Sequence, residues 1–142
     1  MIREPISTVH PLVPATRPDA RRYWRDKFRE AFRGIQLGVR GHSSFSVHFF
    51  CAAVAVAASV ALNCRLWEWC LILLCIGAVF TAELFNSAIE TLFHGLDPET
   101  RGRWNGGLDI AAGAVLTASL FSALTGAAVF GNRFGELMRW WD

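Results

Sequence analysis

Three stretches of this chain carry no charge, and they leave it few folds. Counting histidine as neutral, residues 41–64, 69–82 and 110–132 contain no Asp, Glu, Lys or Arg over 24, 14 and 23 positions. A hydrocarbon core about 30 Å thick takes about 20 helical residues to cross. The first and third stretches reach that length. The second reaches it only if its helix continues through Glu83, Asn86 and Glu90 to Phe93, which carries ionisable groups to the membrane edge. Composition agrees: 53% of the residues are apolar and 18% charged, against about 45–50% and about 25% in soluble domains. The 142 residues allow one domain. The expectation is an all-α membrane protein with spans over residues 43–64, 68–93 and 109–131.

The net charge of +2 is unevenly spread, since nine of the fourteen Lys and Arg fall between Arg3 and Arg40. A basic segment that runs straight into an apolar stretch is the cytoplasmic flank of a span, not a folded phosphate-binding face, so nucleic acid is excluded as a partner. Residues 1–18, with Pro5, Pro11, Pro14 and Pro18 and no apolar period, read as a disordered tail. From Asp19 the pattern changes. Tyr23, Trp24, Phe28, Phe32, Ile35 and Val39 recur at three- and four-residue spacing between basic residues, predicting an amphipathic helix over residues 20–40 that lies on a membrane surface or packs on other helices.

Asn63, Arg65 and Glu68 make a short polar connection, and residues 95–107 form a loop with Pro98 and four glycines. Trp67, Trp69 and Trp104 sit near these ends, as interfacial tryptophans do. With the amino terminus inside, the inner segments hold eleven Lys and Arg and the outer ones three, so the amino terminus is expected to be cytoplasmic. Residues 133–142 then form a short C-terminal tail. Cys51, Cys64, Cys70 and Cys75 lack a CxxC spacing and read as small buried hydrophobes.

Glu83, Asn86 and Glu90 are spaced i, i+3, i+7 and fall within about a 60° sector of a helix. Two carboxylates and an amide oxygen form a hard-oxygen set of the kind that holds Mg²⁺ with nucleotide phosphates, and an embedded carboxylate can serve as a general base. The same residues could instead tie a helix bundle together by interhelical hydrogen bonds. Asp109 opens the third span, where a carboxylate caps exposed N–H groups. His42 and His48, six apart, do not make a zinc pattern.

The run Glu83-Leu84-Phe85-Asn86-Ser87-Ala88-Ile89-Glu90, followed after eighteen residues by Asp109-Ile110-Ala111-Ala112-Gly113-Ala114-Val115-Leu116, resembles the small prokaryotic diacylglycerol kinase and undecaprenol kinase family. The likeness extends back through Phe45-Ser46-Val47-His48 and Ala31-Phe32-Arg33-Gly34-Ile35, covering about residues 25–130. The resemblance implies a homotrimer in the prokaryotic cytoplasmic (inner) membrane, with a surface helix and three spans, that uses ATP and Mg²⁺ to phosphorylate the hydroxyl of a lipid in the bilayer. It implies Glu83 as the catalytic base, Asn86 and Glu90 as metal and nucleotide ligands, and Asp109 as a member of the nucleotide-binding block.

Four positions depart from the family pattern. Leu108 stands where a phosphate-neutralising Lys is usual, His42 where a metal-binding Glu is usual, Ser46 where an Arg is common, and His94 where an acidic residue is usual. Arg40, Arg101 and Arg103 are the cations that could stand in for the missing Lys. The leading expectation is a lipid kinase acting on diacylglycerol or undecaprenol. A catalytically inactive relative kept as a membrane scaffold or lipid-binding protein, and a small ion- or proton-conducting oligomer using Glu83, are the alternatives from other classes.

Overall fold

The computed structural model describes residues 20–41, 44–104 and 106–138. The proline-containing tail, His42 and the last four residues lie outside the described residues. Five helices follow in order, α1 (Ala20–Gly41), α2 (Ser44–Ala61), α3 (Leu66–Gly95), α4 (Pro98–Arg103) and α5 (Gly106–Leu137), and no strand occurs among the described residues. The all-α architecture with three helices long and apolar enough to cross a membrane is the one the charge-free stretches require.

The chain divides between Arg33 and Gly34 into two units. In the first, the described part of α1 has local contacts. Arg29 pairs with Asp26 at 3.0 Å, and the Lys27 ammonium stands 4.7 Å from the Tyr23 ring centroid. Trp24, Phe28 and Phe32, one helical turn apart, are exposed.

In the second unit, α3 packs along α5 and more lightly against α2. The 18 residues of α2 span about 27 Å, and the 30 and 32 residues of α3 and α5 about 45 and 48 Å. The outer helices of such a bundle meet hydrocarbon, and the side chains show it. Phe50, Leu74, Ile110, Leu116 and Phe121 are all at least 65% exposed on the chain, an arrangement that water would not tolerate over so much area. Several hydroxyls inside the spans are satisfied locally. Ser59, Thr91, Thr117 and Thr125 donate to the carbonyls of Ala55, Ser87, Gly113 and Phe121, four residues back. Ser122 instead crosses from α5 to the carbonyl of Cys75 on α3, at 3.3 Å.

The α2–α3 turn is built to be tight. Asn63 adopts φ 51°, a left-handed conformation that Asn tolerates, and the amides of Asn63 and Cys64 close back onto the carbonyls of Val60 and Ser59, both at 3.0 Å. This is a Schellman motif with Asn in place of the usual Gly. Glu68, fully buried, then accepts the Arg65 amide at 2.5 Å and starts α3. Arg133 of α5 fastens the turn, donating to the carbonyls of Leu62 at 3.1 Å and Asn63 at 2.7 Å. It also pairs with Glu136, which in turn holds Arg65. Burial, reinforced by the Glu68 carboxylate, pushes the Cys64 thiol up, so it stays protonated at neutral pH.

These contacts explain where the helices differ from the sequence reading. α5 continues to Leu137 because Arg133 and Glu136, which ended the charge-free run, have partners at the α2–α3 turn. The 95–107 connection contains α4 because Pro98 follows Asp97, whose carboxylate caps the Thr100 amide at 3.0 Å. Thr100, through its side chain first and its backbone second, holds the Asp97 carboxyl below its ordinary range. The cysteines are free thiols, but Cys51 and Cys70 are exposed on the chain and not buried.

Replacing Arg133 with Met leaves the Leu62 and Asn63 carbonyls without a donor. The variant is expected to lose roughly 1–3 kcal/mol of stability, measured by denaturant unfolding in detergent, while Glu136→Gln, which removes one partner of each arginine, loses less.

Candidate active site

Phe45, Phe49 and Phe80 set α2 against α3 beside the polar residues of α3. The Phe49 and Phe80 rings are 4.8 Å apart, and Phe45 lies 6.1 Å from Phe49 and 6.3 Å from Phe80, distances at which aromatic pairs attract. Phe45 and Phe49 share one face of α2, and Phe80 precedes Glu83 by one turn. Gly38 allows the last turns of α1 to come close on another side, where a Cβ would stand 2.8 Å from Leu84 Cδ2.

This packing brings two α2 side chains to Glu83, whose carboxylate is 2% exposed. The Ser44 hydroxyl donates to Glu83 Oε1, and His48 Nε2 stands 3.8 Å from Glu83 Oε2. Neither partner was singled out from the sequence. Their i, i+4 spacing puts them on one face of α2, but only the ring packing shows that the face meets Glu83.

Along α3, Asn86 and Ser87 are buried and Glu90 is partly buried. Asn86 Nδ2 donates to Glu90 Oε1 at 3.1 Å, which leaves Asn86 Oδ1 buried with no hydrogen-bond partner, as is Ser87 Oγ. A buried acceptor without a donor is costly, and an amide oxygen held beside a carboxylate suits a hard cation. Three of the four expected site residues, Glu83, Asn86 and Glu90, thus lie on one helix face. Asp109 stands apart, exposed in the first turn of α5. Among the described residues no three of His, Cys, Asp and Glu gather as a complete metal cage.

Of the three cations expected from the resemblance to stand in for a Lys at the position of Leu108, two have partners elsewhere. Arg101 caps the end of α3, donating to the carbonyls of Leu96 at 2.8 Å and His94 at 2.5 Å. Arg103 pairs with Glu99 at 2.9 Å on the surface of α4. Arg40, in the last turn of α1, is exposed. Leu108 is partly buried near the start of α5.

Comparison with known proteins bears on this arrangement. The undecaprenol kinase of Bacillus subtilis (strain 168) is 30% identical over 103 residues, covering 72% of this chain and 84% of the relative. No solved structure matches. The sequence model of the family described as prokaryotic diacylglycerol kinase matches residues 29–130, which include α2, α3 and the polar face from Glu83 to Glu90. The chain belongs to the prokaryotic diacylglycerol kinase family, a family of membrane lipid kinases.

Proposed function

We propose that this chain transfers the γ-phosphoryl group of ATP to the hydroxyl of a membrane lipid, with Glu83 as the base. The observation that carries the reading is the burial of Glu83 with one oxygen held by Ser44 and the other 3.8 Å from His48 Nε2. A carboxylate held through one oxygen presents the other in a fixed place for a substrate proton, the geometry that general-base catalysis needs.

Asn86 Oδ1 and Glu90 are the residues to hold Mg²⁺. The ion bound there supplies positive charge beside the nucleotide phosphates. Asp109, one helix away, is a further member of the nucleotide site. As the lipid oxygen forms its bond to the γ-phosphorus, the bond from that phosphorus to the β–γ bridging oxygen breaks and ADP leaves. Glu83 Oε2 receives the hydroxyl proton. Catalysis of this kind depends on positioning and on cations around the phosphates, so Leu108 in place of Lys weakens the nucleotide end and leaves the base intact.

The lipid is diacylglycerol or undecaprenol. The name of the Bacillus relative favours the polyprenol, and the matched family's description favours diacylglycerol. The enzyme is placed in the cytoplasmic membrane as a homotrimer with its amino terminus inside, an orientation supported by eleven inner against three outer Lys and Arg. The domain is read as residues 19–132 with the preceding tail outside it, and α5 carries its helix on to Leu137 within the 133–142 stretch that follows. The exposed apolar stripe of Trp24, Phe28 and Phe32 supports a surface role for α1. The second reading, an inactive scaffold, draws its support from Leu108 together with the commitment of Arg101 to the end of α3.

Three measurements test this reading. Membranes carrying the protein, given radiolabelled ATP with Mg²⁺, are expected to label diacylglycerol or undecaprenol, and MgATP binding without labelling of either would favour the scaffold. Glu83→Gln is expected to abolish transfer. Leu108→Lys is expected to raise it by up to about 10²–10³-fold, the contribution of one phosphate-clamping donor, and no change in either variant would remove these positions from the mechanism. Chemical cross-linking in detergent is expected to give trimers, and monomers at every protein concentration would overturn the assembly.

A further inference from the structure

Resting on the reading of Glu83 as base, we propose that His48 orients the lipid hydroxyl by donating a hydrogen bond to its oxygen while the hydroxyl donates to Glu83 Oε2. His48 Nε2 and Glu83 Oε2 are 3.8 Å apart, too far for a hydrogen bond to each other. An oxygen placed about 2.8 Å from both completes an ordinary hydrogen-bonded triangle. An alcohol is the group that fits, because its single O–H needs an acceptor and its lone pairs accept from a donor. The carboxylate supplies the first and the imidazole N–H the second. Holding both ends of the C–O–H unit stops its rotation and leaves a lone pair free to attack, which is how positioning lowers a barrier.

Two further observations support the assignment. Ser44, one turn before His48 on α2, already occupies Glu83 Oε1, so the substrate proton is directed to the oxygen that His48 faces. His48 also forms part of the wall of a groove of about 500 Å³ between α2, α3 and α5, where Ala52, Ile76, Val79 and Phe80 make neighbouring wall. A lipid alcohol approaching from the hydrocarbon side therefore travels along mostly apolar surface to His48, whose Nε2 is 3.8 Å from Glu83 Oε2.

The test compares side chains that keep the donor at different places. Gln carries its amide nitrogen near the position of Nε2, whereas Asn carries it near Nδ1. With undecaprenol or dioleoylglycerol as acceptor, His48→Gln is expected to keep kcat within about tenfold of the parent. His48→Asn and His48→Leu are expected to lose about 10²–10³-fold, the usual cost of one oriented donor, with KM for ATP unchanged in all three. A second arm needs no turnover: binding of each lipid alcohol is measured against its deoxy analogue, which has no oxygen to accept from His48. The parent and His48→Gln are expected to prefer the alcohol, and His48→Leu to lose most of that preference. Equal impairment of Gln and Asn variants, a change confined to KM for ATP, or a preference for the alcohol that survives His48→Leu overturns the proposal. If the parent binds lipid alcohols selectively but transfers no phosphate, the kinase reading fails and the assignment of His48 stands.

Discussion

A carboxylate or amide inside hydrocarbon has no water to bond, so a chain that crosses a membrane three times must satisfy its backbone within helices and confine its polar side chains to places where protein supplies the partners. In this chain the confinement falls mainly on α3. It carries Glu68 at one end and Glu83, Asn86, Ser87 and Glu90 toward the other, all but Glu90 buried, and it is the helix against which α2 and α5 both pack. The helix that forms the scaffold is therefore also the helix that bears the polar cluster proposed as the active site. Neighbouring helices bring hydroxyl, imidazole and guanidinium groups to it and expose most of their own surface to lipid.

The aromatic trio links packing to chemistry. Phe45, Phe49 and Phe80 contribute apolar contact and ring–ring attraction, yet their consequence for function is register. A shift of α2 by one residue along its axis, about 1.5 Å with a rotation of about 100°, would turn Ser44 and His48 away from Glu83. The phenylalanines that flank these two polar residues in sequence hold them at the carboxylate in space.

How far the sequence could be read follows from the kind of interaction involved. Charge-free length locates three spans because hydrocarbon acts on composition, and the i, i+3, i+7 spacing of Glu83, Asn86 and Glu90 gathers them on one face because helix geometry is local. Ser44 and His48 escape such reasoning, since their relation to Glu83 is set by packing between residues some forty positions apart. The continuation of α5 past Asn132 escapes it for the same reason: charges that ended the apolar run, Arg133 and Glu136, are held by Leu62, Asn63 and Arg65 across the bundle. Asp109 shows the opposite limit. A motif places it in the nucleotide block, while the chain leaves it exposed on a separate helix.

The fastening of α5 by Arg133 has a mechanical side. The guanidinium grips the α2–α3 turn near one end of a long, straight element, and Asp109 lies 24 residues away toward the other, about 36 Å along the axis. A rod held at one end turns small angles into large excursions at the other. A change of about 5° in the direction of α5 about the gripped end corresponds to about 3 Å at the Asp109 backbone, roughly the length of a hydrogen bond. The turn that Arg133 holds therefore fixes one end of α5 only, and the position of Asp109 depends on the packing of α3 along the length between them.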